Sequence, residues 1–196
     1  MRSVRLGVWV LAGVCASCAG LLGCATTGGA EGGEVVAAQA QRARLKNLSH
    51  QGLEAASFDL NRDQQADQWR LSEGDKVVRV ERDVNFDGKA DMYVYPNSKG
   101  EPLEEELDLD VDGVIDVVNF YRGGVLSRKE VSPDFSGKFT VVKFYKVDGM
   151  LERLEQDSNG DGKVDWWEYY EEGGAVRVER DGDGDGQPDG VQGEGR

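Results

Sequence analysis

The 196-residue chain carries 37 acidic and 23 basic residues, one histidine and three cysteines, for a formal net charge of −14 at pH 7. So acidic a surface disfavours nucleic acid and anionic membranes as charge-matched partners. A single histidine, His50, builds neither a histidine zinc site nor a Ser-His-Asp relay, so no metallo- or serine-hydrolase centre of those kinds is expected.

The chain opens with Arg2 and Arg5 ahead of an apolar run over 6–22. That order is the plan of a secretory signal, and a run so rich in small residues is short for a membrane span. The sequence Leu21-Leu22-Gly23-Cys24 resembles the lipobox of bacterial lipoproteins. The resemblance implies cleavage before Cys24 and acylation of its thiol, and Ala25 in the next position favours the outer membrane. Cys15 and Cys18 would leave with the signal, so the mature chain would have no disulfide and no thiolate site. Removing 1–23 takes two arginines and no acid, leaving 21 basic against 37 acidic residues, or −16. The expected organisation is a signal peptide over 1–23, a lipidated tether over 24–50, and a repeat domain over 51–196. Residues 25–33 (ATTGGAEGG) read as a flexible linker and 34–48 as a stretch with helical propensity.

From residue 59 a nine-residue motif returns every 24 or 25 residues: DLNRDQQAD, DVNFDGKAD, DLDVDGVID, SPDFSGKFT, DSNGDGKVD and DGDGDGQPD. Oxygen ligands at positions 1, 3, 5 and 9, a backbone carbonyl at 7 and a glycine-enabled turn at 6 suit a hard cation with a large, flexible shell. That description fits calcium better than magnesium. Four copies offer a full ligand set with glycine: Asp83, Asn85, Asp87, Asp91; Asp108, Asp110, Asp112, Asp116; Asp157, Asn159, Asp161, Asp165; and Asp181, Asp183, Asp185, Asp189. The first copy has Asp59, Asn61, Asp63 and Asp67 but Gln64 in place of glycine, which strains the turn. The fourth, with Ser132, Asp134, Ser136 and Thr140, retains one acid and is expected to keep its turn without metal. Glu168, at position 12 of the fifth copy, is expected to add a bidentate ligand and make that loop the tightest. Asx-rich turns form without metal, yet five copies in register with acids at the ligand positions exceed what turn chemistry selects.

Between loops the chain changes to aromatic and β-branched runs around a glycine-containing turn, as in WWEYY, EEGGA, VRVER after Asp165. This predicts five hairpins, about ten strands, in an all-β meander whose sheet is open and curled, a barrel or a solenoid. Two helices do not fit between Asp165 and Asp181, which excludes a helical EF-hand, and WWEYY is a poor helix start for a dockerin. The loops resemble instead the D-x-D-x-D-G-x-x-D calcium loops between strands in FG-GAP blades of integrin-type propellers. That resemblance covers the nine-residue loops and implies the metal chemistry, not the propeller.

The expected function is that of a lipid-anchored cell-envelope protein in which several calcium ions are structural, with an adhesive or surface-binding task toward an envelope protein or glycan. A calcium-dependent carbohydrate-binding module, using Trp166, Trp167, Tyr169 and Tyr170, and a calcium-dependent hydrolase are the alternatives. No nucleophile elbow or acid pair outside the loops favours an enzyme.

Overall fold

The computed structural model describes residues 50–194, with side chains placed through 190. The signal over 1–23, Cys24 and the tether up to 49 lie outside the described residues.

Twelve strands follow one another: β1 (Glu54–Phe58), β2 (Gln68–Glu73), β3 (Lys76–Arg82), β4 (Met92–Pro96), β5 (Pro102–Leu107), β6 (Val117–Arg122), β7 (Val125–Val131), β8 (Val141–Tyr145), β9 (Leu151–Gln156), β10 (Trp166–Glu171), β11 (Gly174–Arg180) and β12 (Val191–Glu194). They form one antiparallel sheet in sequence order, with β1 and β12 as its edges. The all-β meander is therefore the fold, and the sheet is open. The five expected hairpins are present from β2 to β11. β1 and β12 are the two strands beyond the expected ten, half-hairpins before the first loop and after the last. EAASF and VQGE hold few β-branched or aromatic residues, so composition does not announce them.

Tight turns close one border of the sheet. Gly123-Gly124 and Glu172-Gly173 have positive φ at both central residues, the geometry whose twist matches paired strands. Every hairpin shifts register at the same place, between the thirteenth and fourteenth residues counted from residue 1 of its loop. The five sites are Leu71/Ser72, Tyr95/Pro96, Phe120/Tyr121, Phe144/Tyr145 and Tyr169/Tyr170. An extra residue at a fixed point adds the same local twist to each repeat, so neighbouring repeats stay superimposable.

Alternation sorts the side chains. Trp167 stands opposite Glu155 and Glu179, and Tyr169 opposite Arg153 and Arg177. On this face an Arg-x-Glu pair precedes most loops: Arg79–Glu81 at 2.7 Å, Arg128–Glu130 at 2.9 Å, Arg153–Glu155 at 2.9 Å and Arg177–Glu179 at 3.5 Å. Three of the guanidiniums also lie over the aromatic ring opposite: Arg128 on Phe120, Arg153 on Phe144 and Arg177 on Tyr169. Glu81, Glu106 and Glu130 are buried there beside Leu71, Tyr95, Val118 and Trp167. Long side chains thus cover apolar surface with their stems while pairing their heads.

Candidate metal centres

The six nine-residue loops line the border opposite the hairpin turns, and two sets of backbone hydrogen bonds hold them there. Within a loop, the N–H of residue 9 donates to the carbonyl just before residue 1, as in Asp67 to Phe58, Asp91 to Arg82 and Asp116 to Leu107. Between loops, the N–H of residue 1 donates to the carbonyl of residue 9 in the preceding loop. Asp83 bonds Asp67, Asp108 bonds Asp91, Ser132 bonds Asp116, Asp157 bonds Thr140 and Asp181 bonds Asp165, at 2.7–3.0 Å. With two strands per repeat, successive loops stand about 9.5 Å apart.

The predicted ligands turn inward on one another in a repeated pattern. Residue 1 accepts the N–H of residue 6 in all six loops, through Asp59, Asp83, Asp108, Ser132, Asp157 and Asp181. Residue 3 accepts from the N–H of residue 5, as Asn61 does from Asp63 and Asn159 from Asp161. Residue 5 accepts from residue 7, as Asp112 does from Val114. Residue 9 reaches back across the loop to the N–H of residue 2, as Asp67 does to Leu60 and Asp165 to Ser158. These amides orient the carboxylates before any ion arrives.

Positive φ occurs at residue 6, as expected, with Gln64 forced to 76°. It also occurs at residue 4, which sequence reasoning missed: Arg62, Phe86, Val111 and Phe135 adopt φ of 60–69°, and Gly160 and Gly184 occupy the same place in the last two loops. Those two glycines were the available signal. Bulky residues in this region are strained.

The third loop differs from the rest. Asp108, Asp110 and Asp116 bring ligand oxygens within 4.8 Å of one another, as do Asp181, Asp183 and Asp185 in the sixth. Asp116 is wholly buried and Asp108 is 7% exposed. Each uses Oδ2 for one loop amide, Leu109 and Gly113 respectively, while Oδ1 accepts no hydrogen bond from any described residue. In four other loops the residue-4 N–H binds Oδ1 of residue 1, at Asp59, Asp83, Asp157 and Asp181. Buried, unpaired carboxylate oxygens on two residues clustered with a third acid are the kind of donor a calcium ion takes.

Carboxyl electrostatics follow the same contrast. Lost solvation, then the Asp112 charge, push Asp110 above its ordinary range. At Asp181 lost solvation also raises the value, but the N–H groups of Gly186, Gly184 and Asp185 outweigh it and hold the carboxyl low. The Gln65 N–H and the Asn61 amide lower Asp63, and the Ser136 hydroxyl and N–H lower Asp134.

Glu168 lies on the sheet rather than against its loop. Its carboxylate accepts from Trp166 Nε1 at 2.9 Å and from the Tyr170 hydroxyl. In a helical loop-helix unit residue 12 turns back toward the ion, whereas here three residues of extended strand carry it about 10 Å beyond Asp165. In the fourth loop, Ser132, Asp134 and Ser136 bond one another, and Gly137 keeps the turn. His50 is half-exposed, and its Nε2 lies 3.1 Å from Glu81 Oε2.

A cleft of about 680 Å³ opens between the fifth and sixth loops, lined by Ser158, Asp165, Trp166, Glu168, Arg180 and Asp181 among others. The Arg180 guanidinium lies 4.1 Å from the centre of the Trp166 ring. Trp167, on the opposite face, is buried and packs.

No family model matches the chain, and no curated protein matches it. Among solved structures, a chain in the crystal structure of accessory secretory protein 1,2 and 3 in Streptococcus pneumoniae is similar, with 11% identity and a TM-score of 0.34. The likeness covers 61% of this chain and 19% of that one. At that TM-score it bears on neither the fold nor the site.

Proposed function

We propose that this protein is a calcium-stapled β-repeat of the bacterial cell envelope, anchored by lipid on Cys24, with a binding or architectural task rather than a catalytic one. The observation that carries the calcium reading is the third loop, where two buried aspartates present unpaired oxygens beside a third carboxylate. The repetition of its hydrogen-bond frame extends the reading to the first, second, fifth and sixth loops. Cation binding would relieve the repulsion among clustered acids, so calcium stiffens the loop border and stabilises the sheet. Open loops at a protein surface commonly bind calcium at roughly 10⁻⁴–10⁻³ M. The anchor and an outer-membrane location rest on the lipobox-like LLGC and Ala25. Calcium titration of the full-length chain in nonionic detergent, by calorimetry with circular dichroism, tests the reading. Binding of several ions with a gain in thermal stability supports it, and the absence of both heat and stabilisation sinks it.

The cleft at Trp166 favours a second reading, a calcium-dependent glycan site in which an indole face and nearby carboxylates meet a sugar. Binding of purified envelope glycans that calcium promotes and Trp166→Ala abolishes would support it; no binding by the calcium-loaded wild type would remove it.

A further inference from the structure

Resting on the calcium reading above, we infer that the third loop, 108–116, is the highest-affinity calcium centre of the array and that its filling also orders the metal-poor fourth loop. Sequence alone ranks the fifth loop first, because of Glu168. The state of the ligand oxygens argues for the opposite order.

In the fifth loop, Oδ1 of Asp157 is held by the Gly160 N–H at 2.7 Å, and Asp165 takes the Ser158 N–H and hydroxyl and the Asn159 N–H. An ion entering there shares oxygens whose charge the amides already satisfy in part. In the third loop the corresponding Oδ1 atoms of Asp108 and Asp116 are unpaired, so both offer their full charge to the ion. Burial strengthens the difference: screening is weakest around Asp108 and Asp116, so clustered negative charge repels most and gains most from a cation. The sixth loop also gathers three carboxylates, but Asp183 and Asp185 are exposed and Asp181 accepts the Gly184 and Gly186 amides through its two oxygens. Exposure to solvent and backbone amides already offset much of the charge of that cluster.

The third loop is also tied to the fourth. The Ser132 N–H donates to the Asp116 carbonyl at 2.7 Å, and the Val114 side chain lies over Gly137. Asp116 thus contributes its carboxylate to one loop and its carbonyl to the next. An ion that fixes Asp116 and the Val114 carbonyl at residue 7 fixes the partner surfaces of a loop that has one acid of its own.

Calcium is titrated into the full-length, nitrogen-15-labelled protein in nonionic detergent while the Gly113, Gly137, Gly162 and Gly186 amide signals are followed. Gly113 is expected to complete its shift at the lowest calcium, with Gly137 moving in parallel. In calorimetry, Asp116→Asn is expected to weaken the tightest class by roughly tenfold or more, whereas Asp165→Asn removes a weaker class. Completion of Gly162 or Gly186 before Gly113, or a tightest class untouched by Asp116→Asn, overturns the inference while leaving the calcium reading intact. No response of any glycine to calcium overturns both. If Asp116→Asn fails to fold, the order of filling in the wild type decides the question alone.

Discussion

Gly137 sits directly beneath Val114 of the preceding loop, so that a Cβ placed on it would overlap Val114 Cγ1. Its φ of 77° independently disfavours a side chain. Gly113 has φ of 92° but open space around it. Gly137→Ala should therefore cost about 2–4 kcal/mol, the left-handed backbone plus overpacking, and Gly113→Ala about 1–2 kcal/mol. Guanidinium unfolding of the two variants in calcium checks the ranking, and equal losses would show that loop-to-loop packing does not matter.

Val111 is a β-branched residue at φ 60°, and it is exposed. Replacing it by glycine removes backbone strain without opening the core. Val111→Gly should raise stability by about 0.5–1 kcal/mol after the unfolded-state entropy of glycine is set against the strain. Leu109→Gly, two residues earlier and outside the left-handed region, should lower it by about 0.5–1 kcal/mol. Thermal melts of the pair would expose an error if both moved the same way.

Gln64 occupies the turn where four of the other five loops pair a glycine with an aspartate at residue 5, and its N–H still reaches Asp59 at 3.0 Å. Gln64→Gly keeps that bond and relieves about 1–2 kcal/mol of strain. The first loop should then bind calcium severalfold more tightly, read as an increase in one calorimetric class; unchanged affinity would mean that turn strain does not limit this loop.

Glu130 is 1% exposed, with Arg128 at 2.9 Å. Removing the guanidinium takes this cation away from a buried carboxylate. Arg128→Ala should destabilise the sheet by about 3 kcal/mol, and Arg128→Ala with Glu130→Gln together by less than that. Denaturant midpoints for the single and double variants measure the coupling, and additive losses would refute it.

Burial, followed by the hydrogen bond to Glu105, pushes the Tyr121 hydroxyl up to about 12, with its proton donated at 2.9 Å. Because the folded value exceeds the unfolded 10.0, the contribution is whole below pH 10 and is lost as pH rises toward about 12. Tyrosinate absorbance should show several late-titrating groups, Tyr95, Tyr121 and Tyr170 among them, with one fewer in Tyr121→Phe, and the variant should lose less stability than the wild type between pH 10 and 12.

Much of this protein was legible in its residues because repetition and local chemistry carry it. A Gly at residue 6, acids at residues 1, 3, 5 and 9, and runs such as WWEYY around EEGGA announce loops, strands and turns through backbone preferences that need no distant partner. The Arg-x-Glu pairs were written there too, two residues before the loops at Asp83, Ser132, Asp157 and Asp181, but their meaning needs the strand register that sets Arg177 on Tyr169. Tertiary structure alone decided that the sheet stays open, that Glu168 faces Trp166, and that Asp108 and Asp116 hold unpaired oxygens in a buried loop. Ligand spacing is a local property of the chain, whereas the solvation of each ligand depends on which neighbouring repeats exclude water from it.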